Sequence, residues 1–408
     1  MTDHFDRLET RDPDERETSQ FEHLRAQLAT TTAPALRERL AGANIDAITD
    51  RTALAALPVL RKSDLIELQR TDPPFGGLSG RAASEFDEIF QSPGPIYEPG
   101  RSSEPDWWRF GRALFAAGIR RGDRVLNGFS YHLVPAGAML SSGARAVGAA
   151  VLPGGVGNTE AQVALAADGG ATAFIGTPDF LKVLLDKAAE LGRDLSAIHR
   201  AWVSGGALFP SLRAEYAERG ITCLQGYATA DLGNIAYETR PDEGLIVDEG
   251  VILEIVRPGT GDPVSEGEVG EVVVTLLNID YPLLRFATGD LSCFLSGHSA
   301  CGRTGPRIKG WMGRADQTTK VKGMFVRPEQ IAAILARHPE VLKARLTVSR
   351  AHEQDIMDLS IETTHPEIAA TVGETMREVL KLRGEVTPVQ PGGLKNDGKV
   401  IDDTRDYG

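Results

Sequence analysis

"DWWRFGRALFAAGIRRGDRVLNGF", residues 106–129, runs from an amphipathic helical stretch through a turn at Gly122-Asp123 into a short apolar strand. The same unit recurs downstream. "GAMLSSGARAVGAAVLPGG" (137–155), "ALAADGGATAFIGTPDFLKVLLDKAAELG" (164–192) and "RAWVSGGALFPSLRAEYAERGITCLQGYATAD" (200–231) each alternate helix and strand. Short apolar strands between amphipathic helices predict an α/β chain with a mainly parallel sheet flanked by helices.

Outward from this core the pattern changes on both sides. "GVILEIVRPGTGDPVSEGEVGEVVVTLL" (250–277) holds valine-rich runs separated by turns and no helix, which predicts an antiparallel β unit from about residue 245. Beyond "RIKGWMGRADQTTKVKG" (307–323), the stretch "RPEQIAAILARHPEV" reads as a helix, and "KARLTVSR" and "DIMDLSIET" read as strands, giving a small α+β tail. Before the core, "FEHLRAQLATTTAPALRERLAGANID" (21–46) has helical spacing broken near Pro34, and "LPVLRKSDLIELQRTDPPFGG" (57–77) adds a helix with Ser63 as N-cap. Residues 1–20 are polar enough for an arm or a very polar first helix. The predicted organisation is therefore an N-terminal arm at 1–20, a large domain at 21–315 and a small, mobile C-terminal domain at 316–408.

Composition limits the partners. The chain has 408 residues, 57 acidic against 44 basic, and a formal net charge of -13. Such a surface has no general attraction for nucleic acid or anionic lipid, so small molecules are the expected partners. Three scattered cysteines build no disulfide framework, and no apolar run approaches a membrane span. A cytoplasmic protein with reduced thiols is expected.

Several short segments point to chemistry. "YPLLRFATGD" (281–290) would present Asp290 from a tight turn to a pair of ribose hydroxyls, or simply to solvent. "GYATADLG" (226–233) places Tyr227, Ala228 and Asp231 past a strand end, where open α/β sheets bind ligands. Tyr227 could stack on a base and Asp231 hold Mg²⁺; a capped helix start with a core tyrosine fits equally well. Gly205, Gly206 and Ala207 of "SGGAL" leave backbone room for a nucleotide or for a packed helix.

In order and spacing, "LIELQRTDPPFGGL", "GIRRGDRVLNGFSY", "GGVGNTEAQVAL", "GEVVVTLLNIDYPLLRFATGDLS", "ACGRTGPRIKGWMGRAD", "KVKGMFVRPEQI" and "PGGLKNDGKV" resemble the phenylacetate-CoA ligase family of the adenylate-forming superfamily. The resemblance implies that a carboxylic acid attacks the α-phosphate of ATP, giving an acyl-adenylate and pyrophosphate, and that coenzyme A then displaces AMP. It implies Lys399 as the catalytic lysine of the first step, although a solvated tail lysine looks the same in isolation. Asp290 would take the ribose, Tyr227 the adenine, and Arg314 the ribose or phosphate side. The C-terminal domain would rotate about Asp316-Gln317 and bring Lys320, Lys322 and Gly323 beside the CoA path, residues that otherwise read as a solvated strand edge. In "NGFSYHL" (127–133), Phe129, Tyr131 and His132 would wall an acyl pocket for aromatic or hydrophobic acids, with His132 near the reacting carboxylate or serving only structure. A homodimer is expected on resemblance alone.

Three departures stand out. Where the family carries a Ser/Thr/Gly-rich phosphate loop ending in lysine, this chain has "QSPGPIYEPG", so that Ser92, Gly94 and Tyr97 occupy the phosphate positions among prolines. The acidic residue after Tyr227 is Asp231 rather than glutamate, preceded by Ala230. "CFLSGHSACGR" keeps Cys293, His298 and Cys301, but Thr239 and Gly250 stand where further ligands would be, which argues against zinc. The altered loop leaves partial-cycle acyl or nucleotidyl transfer, or non-catalytic binding of a nucleotide or acyl-CoA, as alternatives to a complete ligase.

Overall fold

The computed structural model describes residues 4–315, 317–321, 324–351 and 354–405. They divide into two compact units, the first comprising 1–253, 274–286 and 295–310, the second 254–273, 287–294 and 311–408.

In the first unit the parallel strands lie in the order Ala150–Pro153, Arg124–Asn127, Ala173–Gly176, Arg200–Val203, Thr222–Thr229. Antiparallel strands Gly233–Glu238 and Leu245–Val247 continue the sheet. The two-residue alternation of a strand divides the side chains into two cores. Val125, Ala173, Ile175, Trp202 and Leu224 join one, under helices Gly111–Ala116 and Ala136–Ala146. Leu126, Phe174, Ala201, Val203 and Cys223 join the other, under Thr159–Asp168, Pro178–Glu190 and Pro210–Glu218. Because the chain steps outward to Ala150–Pro153 and then returns past Arg124–Asn127 to Ala173–Gly176, the sheet has a switch point at the carboxyl ends of its strands.

The polar N-terminal stretch is packed rather than free. A short 3₁₀ turn, Arg7–Thr10, precedes the helix Pro13–Thr30, and Glu9 is buried between Arg303 and the Tyr237 hydroxyl, which donates at 2.9 Å. Arg11 and Arg16 both pair with Glu249, at 2.6 and 2.7 Å. Ser63 falls inside the helix Lys62–Thr71, whose N-cap is Arg61, since Asp64 receives the Arg61 amide and sets the start two residues earlier. The proline-rich stretch expected as a loop is a β-hairpin: Glu88–Ser92 pairs with Ile96–Gly100, leaving Pro93-Gly94-Pro95 exposed at the tip.

In the second unit, strands Lys343–Ala351 and Gln354–Glu362 are antiparallel, with Glu385–Val389 and Ile401–Asp403 parallel to them at the two edges. Helices Pro328–Leu335 and Ala369–Leu380 contribute Ile331, Ile334, Val372 and Met376 to the core over this sheet. The α+β tail read from sequence is thus present. Among the described residues, no helix is long and apolar enough to cross a membrane.

Candidate active site

In the first unit a cavity of about 220 Å³ opens at the carboxyl ends of the parallel strands. Phe129, Val134, Met139 and Trp202 give it an apolar wall, and Ser204, Gly205 and Ala228–Ala230 form its polar margin. Trp202 is held there because Gly226 has no side chain: a Cβ on Gly226 would stand 2.2 Å from the Trp202 ring. Of the expected acyl-pocket residues, Phe129 lines the cavity, whereas Tyr131 and His132 are exposed and do not. Tyr131 instead shares its hydroxyl with Ser141 at 2.7 Å and Asn127 at 2.9 Å. His132 has its amide on the Ser130 hydroxyl at 3.1 Å.

Gly205 and Ala228 border the cavity, while Gly206 and Ala207 are exposed beside it in the turn after Arg200–Val203. Tyr227 is buried in the strand, 8 % exposed, so the segment is a hairpin strand with a core tyrosine rather than a helix start. Asp231 follows in the turn and is buried; its Oδ2 accepts from Lys62 at 3.1 Å.

The hairpin at the expected phosphate position turns its polar groups inward. The Ser92 hydroxyl donates to Glu98, which is 1 % exposed. Tyr97 exchanges both backbone groups with the Gln69 amide at 2.8 Å, and its hydroxyl accepts from Gln91 at 2.9 Å. Only Gly94 brings an amide hydrogen to the exposed Pro93-Gly94-Pro95 tip. Ser92 and Tyr97 therefore serve the hairpin's own structure. Glu98 and Lys62 were missed in the sequence, where nothing but a tertiary contact distinguishes them from surface charges.

Burial, and then the nearby charge of Asp231, push the Glu98 carboxyl up to about 8. The folded protein therefore keeps this proton to higher pH than the unfolded chain does. Stability is undiminished below the unfolded value near ~4.3 and falls as pH rises toward the folded value, by a few kcal/mol at most. In EDTA, Glu98→Gln is expected to remove this dependence, so that its Tm advantage over wild type is larger at pH 8.5 than at pH 5. Parallel Tm curves would contradict the burial of an ionisable Glu98.

In the second unit, Asp290 lies on Phe286–Ser292 and bridges to Arg314. Its Oδ1 accepts from Arg314 at 2.8 Å and from the Trp311 indole at 3.0 Å. The tight turn expected around Gly289 is part of this strand instead; Gly289 has φ +74°, and a Cβ there would meet Arg314 Nη2 at 2.7 Å, so the position needs glycine to let the guanidinium reach Asp290. Asp290 and Arg314, expected separately at the ribose and at the ribose or phosphate side, thus pair with each other, with Trp311 as a third member.

Lys399 sits in the loop before Ile401–Asp403, half-exposed, with Nζ 2.6 Å from Asp402. Gln317 donates to Gly398 O at 3.0 Å and accepts from the amides of Val400 and Ile401 at 2.5 and 2.8 Å. Arg345 pairs with Asp397 and donates to Lys399 O at 3.2 Å. The lysine loop is therefore fastened to Gln317. Lys320 lies on strand Thr319–Val321, while Asp316, Lys322 and Gly323 fall outside the described residues.

Cys301 accepts from the hydroxyls of Ser299 at 3.0 Å and Thr239 at 3.3 Å, and these contacts draw its thiol below the ordinary value against the effect of burial. Among the described residues no group of three His, Cys, Asp or Glu side chains is placed to hold a metal ion.

The fold is that of an adenylate-forming ligase. Superposition on 2-hydroxyisobutyryl-CoA ligase, solved with 2-HIB-AMP and CoA, gives a TM-score of 0.68 over 98 % of this chain and 92 % of that one, at 24 % identity. No family model matches. A phenylacetate-coenzyme A ligase of Pseudomonas putida is 30 % identical over 345 residues, 80 % of this chain and 77 % of the relative. The Thermus thermophilus phenylacetate-coenzyme A ligase is 31 % identical over 265 residues, 62 % of this chain, and the match spans 59 % of that relative. The Escherichia coli phenylacetate-coenzyme A ligase is 26 % identical over 417 residues, 97 % of this chain and 93 % of the relative. The chain belongs to the phenylacetate-coenzyme A ligase family.

Proposed function

We propose that the protein activates a small carboxylic acid with ATP to an acyl-adenylate and transfers the acyl group to coenzyme A, releasing AMP and pyrophosphate. The observation that carries this reading is the apolar cavity at the strand ends, bordered by Gly205 and Ala228 where a nucleotide would meet an acyl group. Its lining of Phe129, Val134, Met139 and Trp202 favours aromatic or hydrophobic acids. Support from kinship comes from relatives that are phenylacetate-coenzyme A ligases.

Roles follow from chemistry. Asp290, oriented by Arg314 and Trp311, is a preset acceptor for ribose hydroxyls. Lys399 would leave Asp402 to place its ammonium between the attacking carboxylate and the α-phosphate, where negative charge crowds as the bond forms. Gln317, tied to the same loop, suits a pivot between 21–315 and 316–408 that withdraws Lys399 and brings the Lys320 strand toward CoA. Mg²⁺ would be held by Asp231, whose Oδ1 is buried without a hydrogen-bond partner.

The inward-turned Ser92–Glu98 pair favours a second reading, in which the protein performs only the acyl-transfer half-reaction. Filling the cavity tests the main reading. Ala136→Leu, at the cavity wall, is expected to raise KM for an aromatic acid at least ~10-fold, the scale of one or two displaced methylene contacts, while AMP affinity stays unchanged. An unaltered KM would place the acyl group elsewhere.

A further inference from the structure

A second cavity, of about 290 Å³, lies within the second unit and shares no residue with the one lined by Phe129. One wall is the segment 257–269; the other is the helix Pro328–Leu335, the start of strand Lys343–Ala351 and the loop 398–400. The walls are held together at two places. Gly259, at φ +82°, lets its turn approach the helix so closely that a Cβ there would stand 2.7 Å from the Pro328 carbonyl carbon. Asn396 accepts from the Val269 amide at 3.0 Å and donates to Gly267 O at 3.1 Å, and a Cβ on Gly398 would stand 2.7 Å from Val269 Cγ1. Despite these contacts the walls do not close on each other: Ile331, Ala332, Leu335 and Val400 line open space.

The charged residues around this apolar lining are not all engaged. Lys399 is paired with Asp402, Glu268 accepts the Ser265 amide at 3.3 Å, and Asp262 is exposed to water. Lys343 Nζ reaches only the Lys395 carbonyl, at 3.3 Å. Arg257 is partly buried, and among the described residues its guanidinium has no ion-pair or hydrogen-bond partner. Two cations without a carboxylate beside an apolar floor suit an anion with an apolar body, because a guanidinium takes a carboxylate in paired hydrogen bonds. We propose that this cavity binds an apolar monocarboxylate, with its carboxylate on Arg257 and Lys343 and its body against the helix Pro328–Leu335. One consequence rests on the proposed ligase cycle. The two walls lie on opposite sides of the pivot proposed at Gln317, so a ligand that touches both favours the arrangement in which Gly398 rests on Val269, and excess acid slows turnover.

The test uses the full chain carrying Ala136→Leu, which fills the first cavity, without ATP or CoA. Equilibrium dialysis with phenylacetate and with octanoate is expected to find one acid bound per chain, and the acid that binds tells whether an aromatic or an aliphatic body fits. Adding Arg257→Met should weaken binding at least ~10-fold, the scale of a lost hydrogen bond to a charged group, and phenylacetamide or octanamide should bind weaker than its acid by a similar factor. Adding Ala332→Phe, which fills the second cavity, should abolish binding; both variants are checked for native circular dichroism. No binding of either acid, equal binding by either folded variant, or amides as tight as acids overturns the site. In turnover by the otherwise wild-type chain, inhibition by excess acid should disappear in Arg257→Met, and inhibition that survives overturns the coupling to the pivot. Dialysis needs no ligase activity, so its failure is distinguishable from failure of the ligase reading.

Discussion

Replacing Lys399 with alanine is expected to cut acid-dependent AMP formation by ~10²–10³-fold, the scale set by removing one charge-stabilising group from a transition state. Thioester formation from a supplied acyl-adenylate and CoA should survive, because the lysine is needed only while carboxylate and α-phosphate are brought together. The structure makes the variant benign for folding. Lys399 is half-exposed and its ion pair with Asp402 is a surface pair, which contributes little stability. The loop keeps its shape through backbone groups held by Gln317 and Arg345. Equal loss of both half-reactions would instead assign Lys399 a structural task.

Asp290→Ala is expected to weaken AMP and ATP binding by roughly 10²-fold, since one charged acceptor serving two hydroxyls is lost. Arg314 and Trp311 would lose the shared acceptor that orients them. The Arg314 side chain is 53 % exposed but that of Asp290 only 11 %, so a modest fall in Tm is expected beside the larger loss of nucleotide affinity. Calorimetric titration with AMP beside a thermal melt separates the two. A large fall in Tm with AMP affinity intact would remove Asp290 from the ribose site.

The parallel core was legible because its signals are local. The spacing of Leu114, Val125, Met139, Phe174 and Leu184 marks helices and strands without any distant contact. The order of motifs singled out Asp290 and Arg314 as candidates, but neither the strand that carries Asp290 nor its contacts with Arg314 and Trp311 were legible, because they exist only after the chain folds back. The proline-rich stretch misled for a related reason. Its prolines suggested an irregular loop, yet Pro93 and Pro95 sit at a hairpin tip, and Pro99 lies within a two-stranded ribbon whose pairing no local pattern announces. His132 shows the limit of sequence proximity: close to Phe129 in the chain, it is exposed and does not line the cavity that Phe129 lines. Glu98 and Asp231 are far apart in sequence, and their mutual influence arises only in the folded chain.

The most direct measurement supplies purified protein with Mg²⁺, ATP, CoA and a panel of aromatic and aliphatic acids, and follows AMP, pyrophosphate and acyl-CoA together. AMP and acyl-CoA appearing in equal amounts, only with a fitting acid, is the expected result. If no acid releases AMP while acyl-CoA still forms from a supplied acyl-adenylate, the protein carries out only the second half-reaction and the complete ligase cycle proposed for it is contradicted.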